Sequence, residues 1–247
     1  MATQEEKWNA FVPNIYKLYH DYHEKVWRCT SNDISNHLAS LTNFRDLFKD
    51  ATEWLILLKR SMLSGKTVEQ AASKIFIVHN EEQRQKAISW YYSIFPLLHN
   101  WEHCEALKIW YANKFEIDET CTPQITGDKQ QVLWIKLLPE IHQMFTSLHN
   151  EVFAENASDI SNISISLNSV RALFSDAIDF FYTIKFEMKN GKTVQQAATN
   201  HKKSFSHWAT TDKKKAYQNM FEASLPFVTN WEHYDELNAW YQKNHTN

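Results

Sequence analysis

Two short segments of the chain combine groups that could do chemistry. Asn100-Trp101-Glu102-His103 and Asn230-Trp231-Glu232-His233 each set a carboxylate beside an imidazole. Leu107, Trp110 and Tyr111 follow the first at the spacing with which Leu237, Trp240 and Tyr241 follow the second. A carboxylate and an imidazole within reach can form an acid–base pair or supply two metal ligands. A third pattern, His20-x-x-His23-Glu24, has ligand spacing that fits one helical turn. A metal site built from these parts would draw on His23, His103 and Glu53, or on His149, His233 and Asp179.

The details weigh against catalysis. The order His, His, Glu matches no zinc-protease motif, which needs its glutamate at a set place relative to both histidines. A di-iron bundle needs Glu-x-x-His, and the chain has none. No Gly-x-Ser-x-Gly elbow is present. No catalytic or metal-binding residue is therefore assigned, and no motif requires a cofactor.

Composition excludes other classes. The chain holds only three glycines, Gly65, Gly127 and Gly191. Dinucleotide fingerprints and phosphate loops need several together, because backbone must approach phosphate closely. Gly65-Lys66-Thr67 looks like the end of such a loop, but Arg60 stands where its first glycine would be. A net charge of −3 gives no basic surface for nucleic acid. The lysines 202, 203 and 213–215 form one basic cluster, which reads as a solvated loop. Cys29, Cys104 and Cys121 are odd in number and widely spaced, which argues against a disulfide framework or zinc knuckle. The longest apolar run, Trp54 to Leu58, is too short to span a membrane. The polar N-terminus has no signal-peptide character. These features lead us to expect a soluble, cytoplasmic protein; in a secreted one, the sequons at Asn156, Asn162 and Asn244 would matter.

The elements that carry the candidate residues come from an internal repeat. Residues 12–72 align with 138–198 at a shift of 126, with 24 identities in 61 positions. From Phe95 the match resumes at a shift of 130, with 8 identities in 17. Pro13/Pro139, His23/His149, Arg45/Arg171 and Gly65-Lys-Thr-Val/Gly191-Lys-Thr-Val are among the shared residues. We expect two tandem copies, 1–114 and 132–247, joined by a linker at 115–131, and packed with pseudo-two-fold symmetry.

The periodicity predicts an all-α fold of about five helices per copy. Cap-type residues at 31–33 end the first helix, and a further break is expected near Thr42-Asn43. Gly65 and Gly191 can end helices in the left-handed conformation. Thr67 with Gln70, and Thr193 with Gln196, spell capping boxes for the next helices. Further helices should begin near Asn80–Glu81 and near Thr211, Pro96 and Pro226 should kink or restart the chain, and the last helix of each copy should carry the Trp-Glu-His segment.

Two roles compete for the shared residues. In the structural one, the tryptophans are core and Glu102 pairs with Arg45 (with Asp50 and Glu53 as alternatives), as Glu232 pairs with Arg171. In the binding one, His23, Trp101, His103, Trp110 and Tyr111, with His149, Trp231, His233, Trp240 and Tyr241 in the other copy, contact a ligand. The 35 aromatic residues (15 Phe, 10 Trp, 10 Tyr) serve either role, since they fill helical cores and also line apolar pockets. The expectation is a non-enzymatic binding or scaffold protein, acting on a protein partner through a groove or surface between two lobes. A carrier of a small apolar or aromatic ligand is the second expectation, and a metal-dependent enzyme using the paired histidines the third.

Overall fold

The computed structural model describes residues 2–27, 33–75, 78–117, 129–153, 160–206 and 211–245, with backbone alone at 204–206, 211–214 and 245. Cys29, Cys121, Asn156, most of the expected linker and the side chains of Lys213 and Lys214 lie outside what is described. Every element among the described residues is helical. The first half runs α1 (Gln4–Tyr22), a π-helical turn (His23–Trp27), α2 (Ile34–Leu63), α3 (Val68–Ile75) and α4 (Glu81–Ile94). A 3₁₀ turn (Phe95–Leu98) and α5 (Cys104–Phe115) complete it. The second half follows the same order: α6 (Lys129–Leu148), a π-helical turn (His149–Phe153), α7 (Ile160–Lys189), α8 (Val194–Ser206) and α9 (Thr211–Ser224). It ends in a 3₁₀ turn (Leu225–Val228) and α10 (Tyr234–His245).

The local devices form as the residues dictate. Gly65 and Gly191 take φ of +84° and +82°, the left-handed backbone that side-chain-bearing residues avoid. The Thr67 amide donates to Gln70 Oε1 at 3.1 Å, and the Gln70 amide donates back to Thr67 Oγ1 at 3.3 Å. Thr193 and Gln196 repeat both bonds at 3.0 and 3.2 Å. Asn80 caps α4, its side chain accepting from the Gln83 amide at 2.9 Å. Pro96 and Pro226 sit in the first turn of the 3₁₀ segments, where a missing N–H costs nothing.

Two expectations about helix boundaries need correction. The break near Thr42-Asn43 does not occur; α2 runs unbroken through it. Thr and Asn disfavour helix interiors by only tenths of a kcal/mol relative to most residues, and Asn43 is held by a tertiary bond, Nδ2 donating to the Tyr22 hydroxyl at 3.0 Å. The Trp-Glu-His segments are not helical either. They form the turns before α5 and α10, closed by Trp101 N–H to Leu98 O at 2.8 Å and Trp231 N–H to Val228 O at 2.9 Å. Burial of the tryptophans, each 3% exposed, anchors the turns there.

The chain divides into two compact units: Met1–Ile15 with Asp46–Val170, and Tyr16–Arg45 with Arg171–Asn247. Each draws on both sequence halves. In the first unit, Phe48 of α2 meets Phe145 of α6 at 5.7 Å between ring centroids. His142 Nε2 of α6 donates to the Ser93 carbonyl at 2.9 Å, and Asn100 donates to Asn150 at 3.0 Å. In the second unit, Phe44 of α2 stacks on Phe174 of α7 at 5.0 Å. The Tyr16 hydroxyl donates to the Ala223 carbonyl at 2.7 Å, His20 Nε2 to the Pro226 carbonyl at 2.7 Å, and Asn230 to Glu24. Tyr19 and Phe227 pack edge to face at 5.1 Å beside them.

The capping boxes generate a simple test. Thr67→Ala and Thr193→Ala each remove one hydroxyl acceptor from a helix start, and should each lower unfolding free energy by about 1 kcal/mol. Urea midpoints at constant slope measure this; no shift for either variant would show that the boxes contribute nothing.

Candidate functional site

His23 and His149, assigned to a ligand from sequence, face protein interior. Each is 1% exposed, and each Nδ1 lies 2.9 Å from a serine hydroxyl, Ser40 and Ser166 respectively. The second unit elaborates this pair. The Tyr19 hydroxyl lies 2.8 Å from Ser40 Oγ and 3.2 Å from His37 Nδ1, and the His23 and His37 rings stack at 3.8 Å with 11° between planes. His37 is fully buried and its Nε2 has no hydrogen-bond partner. Burial, and then the neighbouring His23 and His20, push its pKa down from the ordinary 6.5 to about 3. His201, in the same unit, is lowered by burial to about 4. At the sequence positions matching Tyr19 and His37 the other half carries Phe145 and Ile163.

The Trp-Glu-His turns place their polar groups at the surface. Glu102 is exposed with Oε1 at 3.5 Å from His103 Nε2. Glu232 is exposed likewise, and His233 lies 3.9 Å from it and 3.7 Å from Glu236. Arg45 and Arg171 are half-buried on α2 and α7. The aromatic members divide. Trp101, Trp231, Trp240, Tyr111 and Tyr241 are buried. The Tyr111 hydroxyl donates to the Ala87 carbonyl at 2.9 Å, and Tyr241 to Glu222 at 2.6 Å. Trp240 Nε1 donates to Thr199 at 3.0 Å, and Trp110 is half-buried with Lys114 Nζ 4.9 Å over its ring. Among the described residues, no group of three or more His, Cys, Asp or Glu could hold a metal ion. No described helix is long and apolar enough to cross a membrane.

One concave feature of the first unit brings some of these residues together with others the sequence did not single out. A cleft of about 450 Å³ opens between the end of α4, its 3₁₀ turn and the start of α5. Tyr91, Tyr92, Phe95 and Trp101 wall it, with Cys104 at its side. His99, Glu102, Glu105 and Lys108 supply the polar groups of its lining. Burial raises the Cys104 thiol to about 11, which disfavours the thiolate at neutral pH. Of the residues assigned from sequence, Trp101 and Glu102 line this cleft. The signal for the rest lay in a difference between the halves. At the matched positions, Cys104 faces Tyr234 and Tyr92 faces Glu222, so the first half has a small side chain where the second has a large ring. The second unit has a more polar groove of about 710 Å³ between α8 and α10, which Trp240 lines with Lys203 and Lys243.

Fold and cleft together define an all-helical, aromatic-rich protein with a small apolar recess. The chain matches no protein-family model, no curated protein and no solved structure.

The histidine cluster predicts a one-sided acid response. His37 binds its proton near pH 3 in the folded chain and near 6.5 when unfolded. Its contribution is present in full above pH 6.5 and is lost as pH falls below that value. Between about pH 7.5 and 5 the loss is about 2 kcal/mol for this one group. The double variant Tyr19→Phe/His37→Ile, copying the other half, should keep its stability at the upper pH within about 1.5 kcal/mol. It should also lose that part of the acid sensitivity. Urea unfolding at both pH values measures it; an unchanged pH dependence would contradict the burial of His37.

Proposed function

We propose that the chain is a non-enzymatic binding protein that holds a small apolar or aromatic molecule in the α4–α5 cleft. The observation that carries this reading is the cleft itself, at about 450 Å³ with four aromatic side chains in its wall. That volume lies within the range of small-molecule sites, which are concave and mostly aromatic or aliphatic with few polar groups.

The same proposal takes the two halves as copies of one five-helix unit with pseudo-two-fold symmetry. Contacts at matched positions support it. Tyr16 reaches the Ala223 carbonyl and His142 the Ser93 carbonyl, positions 126 and 130 apart as in the sequence repeat. Glu24 with Asn230, and Asn150 with Asn100, form a second matched pair. On this view the cleft arose in one copy after duplication, by keeping or acquiring a small residue at 104.

N-phenyl-1-naphthylamine, a neutral apolar dye that brightens on leaving water, tests the function. It should bind saturably to the intact protein. Cys104→Tyr and Tyr92→Glu, each copying the residue of the other half, should weaken binding at least about tenfold with helical content unchanged. Saturable binding that both variants leave intact, or no saturable binding at all, would overturn the assignment.

A further inference from the structure

We infer that the cleft selects an organic cation: an ammonium or related positive group carried on an aromatic or aliphatic body. This rests on the reading of the cleft as a small-molecule site and adds the charge of what it takes. Two kinds of group make the choice. Tyr91, Tyr92, Phe95 and Trp101 line the wall, Tyr92 being the most exposed of the four, and aromatic rings attract cations through their quadrupoles. The lining also carries two carboxylates, Glu102 and Glu105, both exposed at the mouth.

Opposing charges are fewer. Lys108 is the one lysine of the lining and follows Glu105 by one helical turn on α5. The start of α5 brings roughly half a positive charge from its free N–H groups. His99 Nδ1 donates to the Pro96 carbonyl at 3.1 Å, which fixes its ring against its own turn. Glu102 also has His103 Nε2 at 3.5 Å from its Oε1. The two carboxylates outweigh Lys108 and the helix start by about half a charge, next to the apolar wall. An anion of the same shape would meet both carboxylates at the entrance. A neutral analogue would keep the apolar contact and gain neither attraction.

Three matched probes test this with the intact protein: 4-phenylbutylamine, 4-phenylbutanol and 4-phenylbutyrate, titrated by calorimetry at neutral pH. The amine should bind about tenfold tighter than the alcohol, and the carboxylate weakest. The double variant Glu102→Gln/Glu105→Gln should bring amine and alcohol to within about twofold of each other. Both glutamates are exposed, so folding should survive. Raising salt from about 20 to 500 mM should shrink the preference in the unsubstituted protein, giving a check independent of any variant. If the alcohol binds as tightly as the amine, or the carboxylate binds best, the cation inference fails and the small-molecule reading stands. If none of the three binds and the neutral dye does not bind either, both fail together.

Discussion

The structure depends on how two half-buried helix ends are satisfied. Proline at 96 and at 226 turns α4 and α9 from α-helical into 3₁₀ geometry at their C-termini. Helix ends leave carbonyls without partners, and such groups are costly when withdrawn from water. Ser93, Ala223 and Pro226 present carbonyls at these ends, and side chains of α6 and α1 meet them: His142 on Ser93, Tyr16 on Ala223, His20 on Pro226. The donors come from the opposite half of the sequence in each case. These bonds join the two sequence halves within each compact unit, and neither unit is a continuous stretch of chain.

What could be read from the residues is what acts over a few positions. The glycine stops, the Thr–Gln capping boxes, the Asn80 cap and the proline turns are each decided within one helical turn, and each stands where the spacing puts it. Readings that depend on partners far along the chain fared differently. Thr42 and Asn43 look like a break, yet Tyr22 supplies Asn43 with a partner and the helix continues. The Trp-Glu-His segments have helical periodicity, yet burial of Trp101 and Trp231 holds them as turns. His37 carries no local signal, because its stacking on His23 joins α2 to the turn after α1.

The residues that match between the two sequence halves take different places in the structure from those that do not. Residues common to both halves, such as the His23–Ser40 and His149–Ser166 pairs, lie in protein interior where they order the packing of helices. Chemical individuality sits where the halves differ. Tyr19 and His37, where the matched positions of the other half hold Phe145 and Ile163, extend one buried pair into a network. Cys104 replaces Tyr234 beside the aromatic cleft. From sequence, Cys104 carries little weight because the matched position of the other half has a tyrosine.

The central claim is that each compact unit needs both sequence halves. Co-expressing residues 1–117 and 129–247 as separate chains, cut within the segment outside the described residues, tests it most directly. The account predicts that the two fragments co-purify as a one-to-one complex with the circular dichroism of the intact protein, while either alone lacks cooperative unfolding. A fragment that folds alone as a cooperative helical monomer, with no affinity for the other, would contradict it.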